Sequence, residues 1–272
     1  MKSFKFTMIF TLFILKAATA QYIVVKVTGN VTYKGKAIVS GIELKSTDII
    51  HWSSGKDKLL VIIIGKGDRI LTKSPKAKPD KFGFSELAAV ALHLNSASEA
   101  LSARGDLDEK IPDALQTAPK SNGIVIFEQE NKFLFDPNEY PQTINSGFFV
   151  QIDIPGQMAD IRKLKVNGDT IFVAYADLKP KTIDPNTVYN LGYYDRSNKK
   201  SQRITSFNPY FDLTGETENM IAASVSAYQQ ENLSKEAVRD SVYSIVYSTT
   251  GKPNGISFAR LFNKYWLSKG KK

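Results

Sequence analysis

The apolar pattern of this chain changes period near Gly215, and that change decides its fold class. Up to that point apolar residues come in short runs set off by glycine, asparagine and proline, the signature of strands. Beyond it they recur about every 3.6 residues, as on one face of a helix. Ile221, Val225 and Tyr228 share such a face. Ser234 is placed to cap a second helix striped by Val238, Val242, Ile245 and Val246. Ser257 is placed to cap a third, carrying Phe258, Leu261, Phe262 and Tyr265. Strands followed by helices predict an α+β fold in which an antiparallel sheet packs against C-terminal helices.

A second signal lies at the start. Met1 to Lys5 is basic, Phe6 to Leu15 is apolar, and Ala17-Ala18-Thr19-Ala20 offers small residues for cleavage. This is the layout of a secretory leader over residues 1–20, cut before Gln21. The apolar run is about half of the ~20 residues that a membrane-crossing helix needs. The chain has no cysteine, which excludes lipoprotein acylation, disulfides, thiolate metal sites and Cys-His chemistry. The expected location is the periplasm or the medium, not as a lipoprotein and with no membrane span after cleavage. The mature chain must then be held by its apolar core alone, and it is long enough for one or two domains.

The formal charge is +9, from 36 basic and 27 acidic residues. Lys2, Lys5 and Lys16 leave with the leader, so 33 basic residues face 27 acidic ones in the mature chain, a charge of +6. Only seven of the basic residues are arginine, and the lysines are scattered. Nucleic-acid readers favour clustered arginine forks, so no nucleic-acid partner is expected. The mild basicity suits an acidic surface polymer.

Residues 21–73 predict a small all-β module, a barrel or a sandwich, from short strands at Tyr22–Thr28, Val31–Tyr33, Asp48–Trp52, Leu59–Ile64 and Arg69–Thr72. The order Val27-Thr28-Gly29-Asn30-Val31, Gly35, Gly41-Ile42-Glu43-Leu44, Asp48-Ile49-Ile50, then Leu59 to Ile64 and Gly67 resembles the small β domain of FecR-like proteins and bacterial SH3-like modules. The FecR resemblance implies a signalling component working with a membrane-embedded partner. The whole layout resembles exported proteins of Bacteroidetes-type bacteria, which implies no activity.

Residues 74–120 are expected to be a linker with one helix over Phe84–Leu101, on the stripe Leu87, Val90, Ala91 and Leu94. Residues 121–272 form the α+β domain. Ile124–Glu128 and Lys132–Phe135 flank a polar turn, and Phe148–Ile154 is a strand stopped by Pro155-Gly156. Ile161–Val166 and Thr170–Ala176 predict a hairpin on Asn167-Gly168, with a type I′ turn. Val188–Asp195 and Gln202–Phe207 predict another across Arg196 to Lys199. Together these give one antiparallel sheet of about five to seven strands.

Catalytic motifs are absent. His51 and His93 are the only histidines, and neither sits at a metal-ligand spacing. No nucleophile elbow or phosphate loop occurs. Asp106, Asp108 and Glu109 begin like a calcium loop, but Ile111 and Thr117 stand where glycine and glutamate are required. No catalytic residue, metal or cofactor is expected. The candidates for binding are aromatic. Tyr189, Tyr193, Tyr194 and Tyr210 lie with Phe207 and Phe211 in one short stretch, and the four tyrosines are the expected ligand or interface residues. Alternation puts Tyr189, Leu191 and Tyr193 on one face of a strand and Tyr194 on the other. The competing use of these rings is packing under the C-terminal helices. The expectation is an exported, non-enzymatic binding or structural module of the cell envelope, with an envelope protein or polymer as partner. The alternatives are a carboxylate-dependent hydrolase of envelope glycans and a FecR-like signalling component.

Overall fold

Strand β6, Lys58–Ile63, is apolar at every position from Leu59 on because both of its faces are covered. Leu59, Val61 and Ile63 enter one core, and Leu60 and Ile62 enter another. The computed structural model describes residues 21–64, 69–73, 82–83, 92–94, 110–111, 113–115, 123–127, 131–179, 184–212, 214–231 and 233–269. β6 pairs with β1, Gln21–Thr28, inside an antiparallel sheet. That sheet is completed by β4, Glu43–Lys45, on one side and by β7, Arg69–Lys73, and β9, Leu92–Leu94, on the other.

A second sheet faces the first: β3, Lys36–Ala37; β2, Val31–Tyr33; β5, Ile49–Trp52; and β8, Phe82–Gly83. Val31, Ile50 and Trp52 meet Val24, Leu59 and Val61 between the two. The N-terminal module is therefore an open sandwich and not a closed barrel. Asp57, 3% exposed, ties its loops together. The carboxylate accepts from the backbone N–H groups of Asn30 (3.3 Å), Ser53 (2.9 Å) and Ser54 (2.7 Å), and from the Ser54 hydroxyl (2.8 Å). Burial alone pushes its pKa up, but these bonds outweigh burial and hold it below the usual carboxylate range.

The helix expected over Phe84–Leu101 is not formed at Leu92–Leu94, which is strand β9 with His93 opposite Ile70. Apolar-polar-apolar alternation fits a strand as well as the helical stripe did, and β7 offers an edge whose N–H and C=O groups need partners. The rest of that segment and the linker of residues 74–81 lie outside the described residues.

The other face of β1 and β6 is covered by C-terminal helices. Apart from a short turn of helix, α1, at Tyr175–Leu178, these are α2, Glu216–Tyr228; α3, Lys235–Thr249; and α4, Gly255–Lys269. Helix α2 is buried almost all round, with Met220, Ile221, Ala223, Val225, Ala227 and Tyr228 in the core. Ser234 caps α3, its hydroxyl accepting from the N–H of Ala237 (3.2 Å). Helix α4 starts earlier than the sequence suggests: Asn254 Oδ1 accepts from the N–H of Ser257 (2.9 Å), so Asn254 and not Ser257 is the cap.

A bulge in β1 joins sandwich and helices. Val24 pairs with Val61 and Lys26 with Leu60, which leaves Val25 as the extra residue. Val25 and Lys26 then both turn toward the helices. Lys26 Nζ donates to the Thr249 carbonyl (2.8 Å) at the C-terminal end of α3, where the helix dipole is negative. Burial lowers the pKa of this amine, and Glu216 pulls it part of the way back.

Strand β10, Ile124–Phe127, does not form a hairpin with the segment that follows it. It is the centre of a parallel sheet between β18, Pro209–Asp212, and β19, Lys252–Pro253. All four of its residues are buried, Val125 and Phe127 toward the helices and Ile124 and Ile126 toward a third core. A strand covered on both faces suits parallel pairing. The single sheet expected downstream is likewise divided. One part, all antiparallel, is β13, Asp160–Lys163; β12, Ser146–Asp153; β16, Val188–Asp195; and β17, Lys200–Phe207. The other is β11, Asn131–Leu134; β15, Thr170–Val173; and β14, Lys165–Asn167. The chain switches sheets at buried Leu164, whose N–H donates to the Phe148 carbonyl (2.9 Å).

Both hairpins form. Asn167 pairs with Thr170, which makes Gly168-Asp169 the loop. Positive φ occurs at Gly168 (61°) alone, the pattern of a II′ and not a I′ turn. The class is α+β, with antiparallel sheets and C-terminal helices. Among the described residues no helix is long and apolar enough to cross a membrane.

Two predictions follow from these ties. Asp57→Ala is expected to lower unfolding free energy by about 3 kcal/mol in urea titrations. Because the folded pKa of Asp57 is depressed, its contribution is complete above the unfolded value of about 3.9 and drains away as pH falls through the folded value. The gap between wild type and variant should therefore close on acidification. Lys26→Met is expected to lose about 1–2 kcal/mol by the same measurement, from the hydrogen bond lost to α3.

Candidate functional site

Inward side chains of β12 and β16 build the core beneath their sheet. Phe148, Val150 and Ile152 stand there opposite Tyr193, Leu191 and Tyr189. The outward positions include Gly147 and Phe149 on β12 and Gly192 and Tyr194 on β16. The register sets Phe149 directly opposite Gly192, and Tyr194 directly opposite Gly147. Each ring reaches across the strand boundary onto the glycine it faces. A Cβ on Gly192 would fall 2.2 Å from Phe149 Cζ, and one on Gly147 would fall 3.1 Å from Tyr194 Oη. The rings are 6.4 Å apart and inclined by 36°. The Arg196 guanidinium lies 5.7 Å from the centre of the Tyr194 ring, within cation–π range.

These rings floor an open groove of about 510 Å³. Ile161, 62% exposed, stands at one side. Lys163, Arg196, Lys199 and Lys200 border it, and the lining holds one carboxylate, Asp195. That carboxylate is engaged in its own loop: Oδ1 accepts from the N–H of Ser197 (2.9 Å) and Oδ2 from Asn198 Nδ2 (2.6 Å). Lys163, Lys199 and Lys200 make no ion pair among the described residues. A polar row braces the face beside the groove. Asn190 donates to Asp153 Oδ2 (2.7 Å) and accepts from the Ser206 hydroxyl (2.6 Å), linking β12, β16 and β17.

The four tyrosines singled out in the sequence do not converge. Tyr189 and Tyr193 are 5% and 8% exposed in the core under the four-stranded sheet. Tyr193 packs edge-on against Tyr140 (5.5 Å) and Phe148 (5.3 Å) and donates to the Pro141 carbonyl. Tyr189 packs against Phe207 (6.0 Å) and Phe211 (6.4 Å), and burial raises its pKa. Their cover comes from neighbouring strands and not from the C-terminal helices. Tyr210, on β18, is the one that leans on the helical core, and burial raises its pKa as well. Tyr194 alone reaches the groove.

The remaining groove residues were not singled out in the sequence: Phe149, its seat Gly192, and the cations Lys163, Arg196, Lys199 and Lys200. The signal for the floor was present as Gly192 inside an expected strand, where a glycine marks close approach of another group. His51 is exposed on β5, and the Asp106–Glu109 cluster lies outside the described residues. Among the described residues no group of three or more histidines and carboxylates is placed to hold a metal. No family model, curated protein or solved structure shows significant similarity to the chain.

Gly192 has no left-handed φ, so a side chain there strains the ring and not the backbone. Gly192→Val should fold, with a melting shift within about 5 °C. The Phe149 ring should leave the strand, seen as loss of the nuclear Overhauser contacts between its protons and residue 192.

Proposed function

We propose that this protein is a non-enzymatic binding module of the cell envelope, exported by its leader, which holds an envelope polymer on the outward face of the β12–β16 sheet. The observation that carries this is the reciprocal pairing of Phe149 with Gly192 and of Tyr194 with Gly147. Two rings seated on glycines of the adjoining strand offer apolar faces toward solvent, the shape onto which the C–H faces of sugars stack. Aromatic side chains give such contact area at small cost in conformational freedom. The groove is supported as a binding surface by its single carboxylate, which is engaged in its loop. Glycoside hydrolysis uses two carboxyl groups, about 5–10 Å apart.

Sedimentation with purified, insoluble cell-wall polysaccharide tests this. The mature protein should pellet with it, and the Phe149→Ala/Tyr194→Ala double variant should bind about 10-fold more weakly, which is roughly 1.4 kcal/mol. Circular dichroism of the variant should stay like that of wild type. A double variant that pellets as wild type does would refute the proposal.

A further inference from the structure

We infer that the polymer held on this face is a polyanionic glycan, one bearing carboxylate, sulfate or phosphate groups; this rests on the binding function proposed above. Three separate elements bring cations to one groove: Lys163 from β13, Arg196 and Lys199 from the hairpin loop, and Lys200 from the start of β17. Against these four positive charges the lining sets one negative charge, Asp195. The cation beside the rim on the other face of β13 is paired. Arg162, next to Lys163 but turned to the other face, holds Asp160 at 2.7 Å and the Ala176 carbonyl at 2.7 Å. The lysines around the aromatic floor have no such partner among the described residues.

Like charges gathered around a shallow apolar floor repel one another in the free protein, and a polyanion relieves that repulsion as it binds. A neutral polymer gains the stacking and leaves the repulsion in place. Single-stranded nucleic acid also combines stacking with negative charge. Three of the four rim cations are lysines, point charges without the planar fork that grips a phosphate in two places, and this favours charges dispersed along a glycan.

The test compares polygalacturonate, neutral dextran, a thymidine oligonucleotide and the cell-wall material as probes for the mature protein. Polygalacturonate should bind, dextran should not, and affinity should fall at least about 10-fold between roughly 50 and 300 mM NaCl. Lys163→Glu with Lys200→Gln should weaken binding at least about 10-fold. Lys235→Glu, an exposed change on α3 far along the chain, should leave binding unchanged, which separates the local rim from total charge. Cell-wall retention that survives both salt and the rim substitutions would overturn the polyanion inference and leave the binding module standing. Tighter binding of the oligonucleotide than of polygalacturonate would overturn the glycan assignment. Absence of retention on all four probes would remove the inference together with the function beneath it.

Discussion

Two strands with both faces buried, β6 and β10, dictate how the other elements are arranged. A strand that is apolar at every position needs a layer on each side of it, and the C-terminal helices are the layer that serves both. They cover Leu60 and Ile62 on one flank and Val125 and Phe127 on the other. Helix α2, in the middle, is consequently buried almost all round and carries Ala223, Ser224 and Ala227, which let its neighbours approach closely. The helices belong as much to the N-terminal sandwich as to the strands that precede them in sequence. Lys26 and Asn254 add polar ties at the two flanks, one to the end of α3 and one to the Lys132 carbonyl.

Because the helices are committed to that central slot, the sheet of β13, β12, β16 and β17 keeps one face toward solvent. Its inner face, with Phe148, is closed by β10, β15 and the rings of Phe135 and Tyr140. The outer face has no such cover, and there the pairing of ring with glycine has two effects. It shields strand backbone that a glycine would leave open to water, and it spreads two aromatic surfaces along the sheet. The same contacts serve stability and recognition, so a change at Gly147 or Gly192 touches both.

Much of this was legible in the sequence. Helices α2 to α4 announced themselves through periodicity sustained over several turns, and the hairpins through their turn residues. Tyr194 was separated from Tyr189 and Tyr193 by strand parity alone. Parity does not say which face is dry, and here the face with more tyrosines is the buried one. The partner of β10 was hidden because its neighbours β18 and β19 come much later in the chain, and no local pattern records a parallel pairing of that kind. Leu164 looked like one more apolar residue in a strand, yet the change of sheet occurs there. Leu92-His93-Leu94 fits helical and extended periods equally well, and only the edge of β7 decides between them. The groove needed register: Phe149 follows Phe148 in an apolar run, and its role appears only once Gly192 is set opposite it.

The layer that both sheets share is supplied by the last elements described in the chain. The core between the two N-terminal sheets is complete by Ile63, but the other face of β1 and β6 stays wet until those helices arrive. The contacts that dry it join residues far apart in sequence, and pairings of that kind are slow to form.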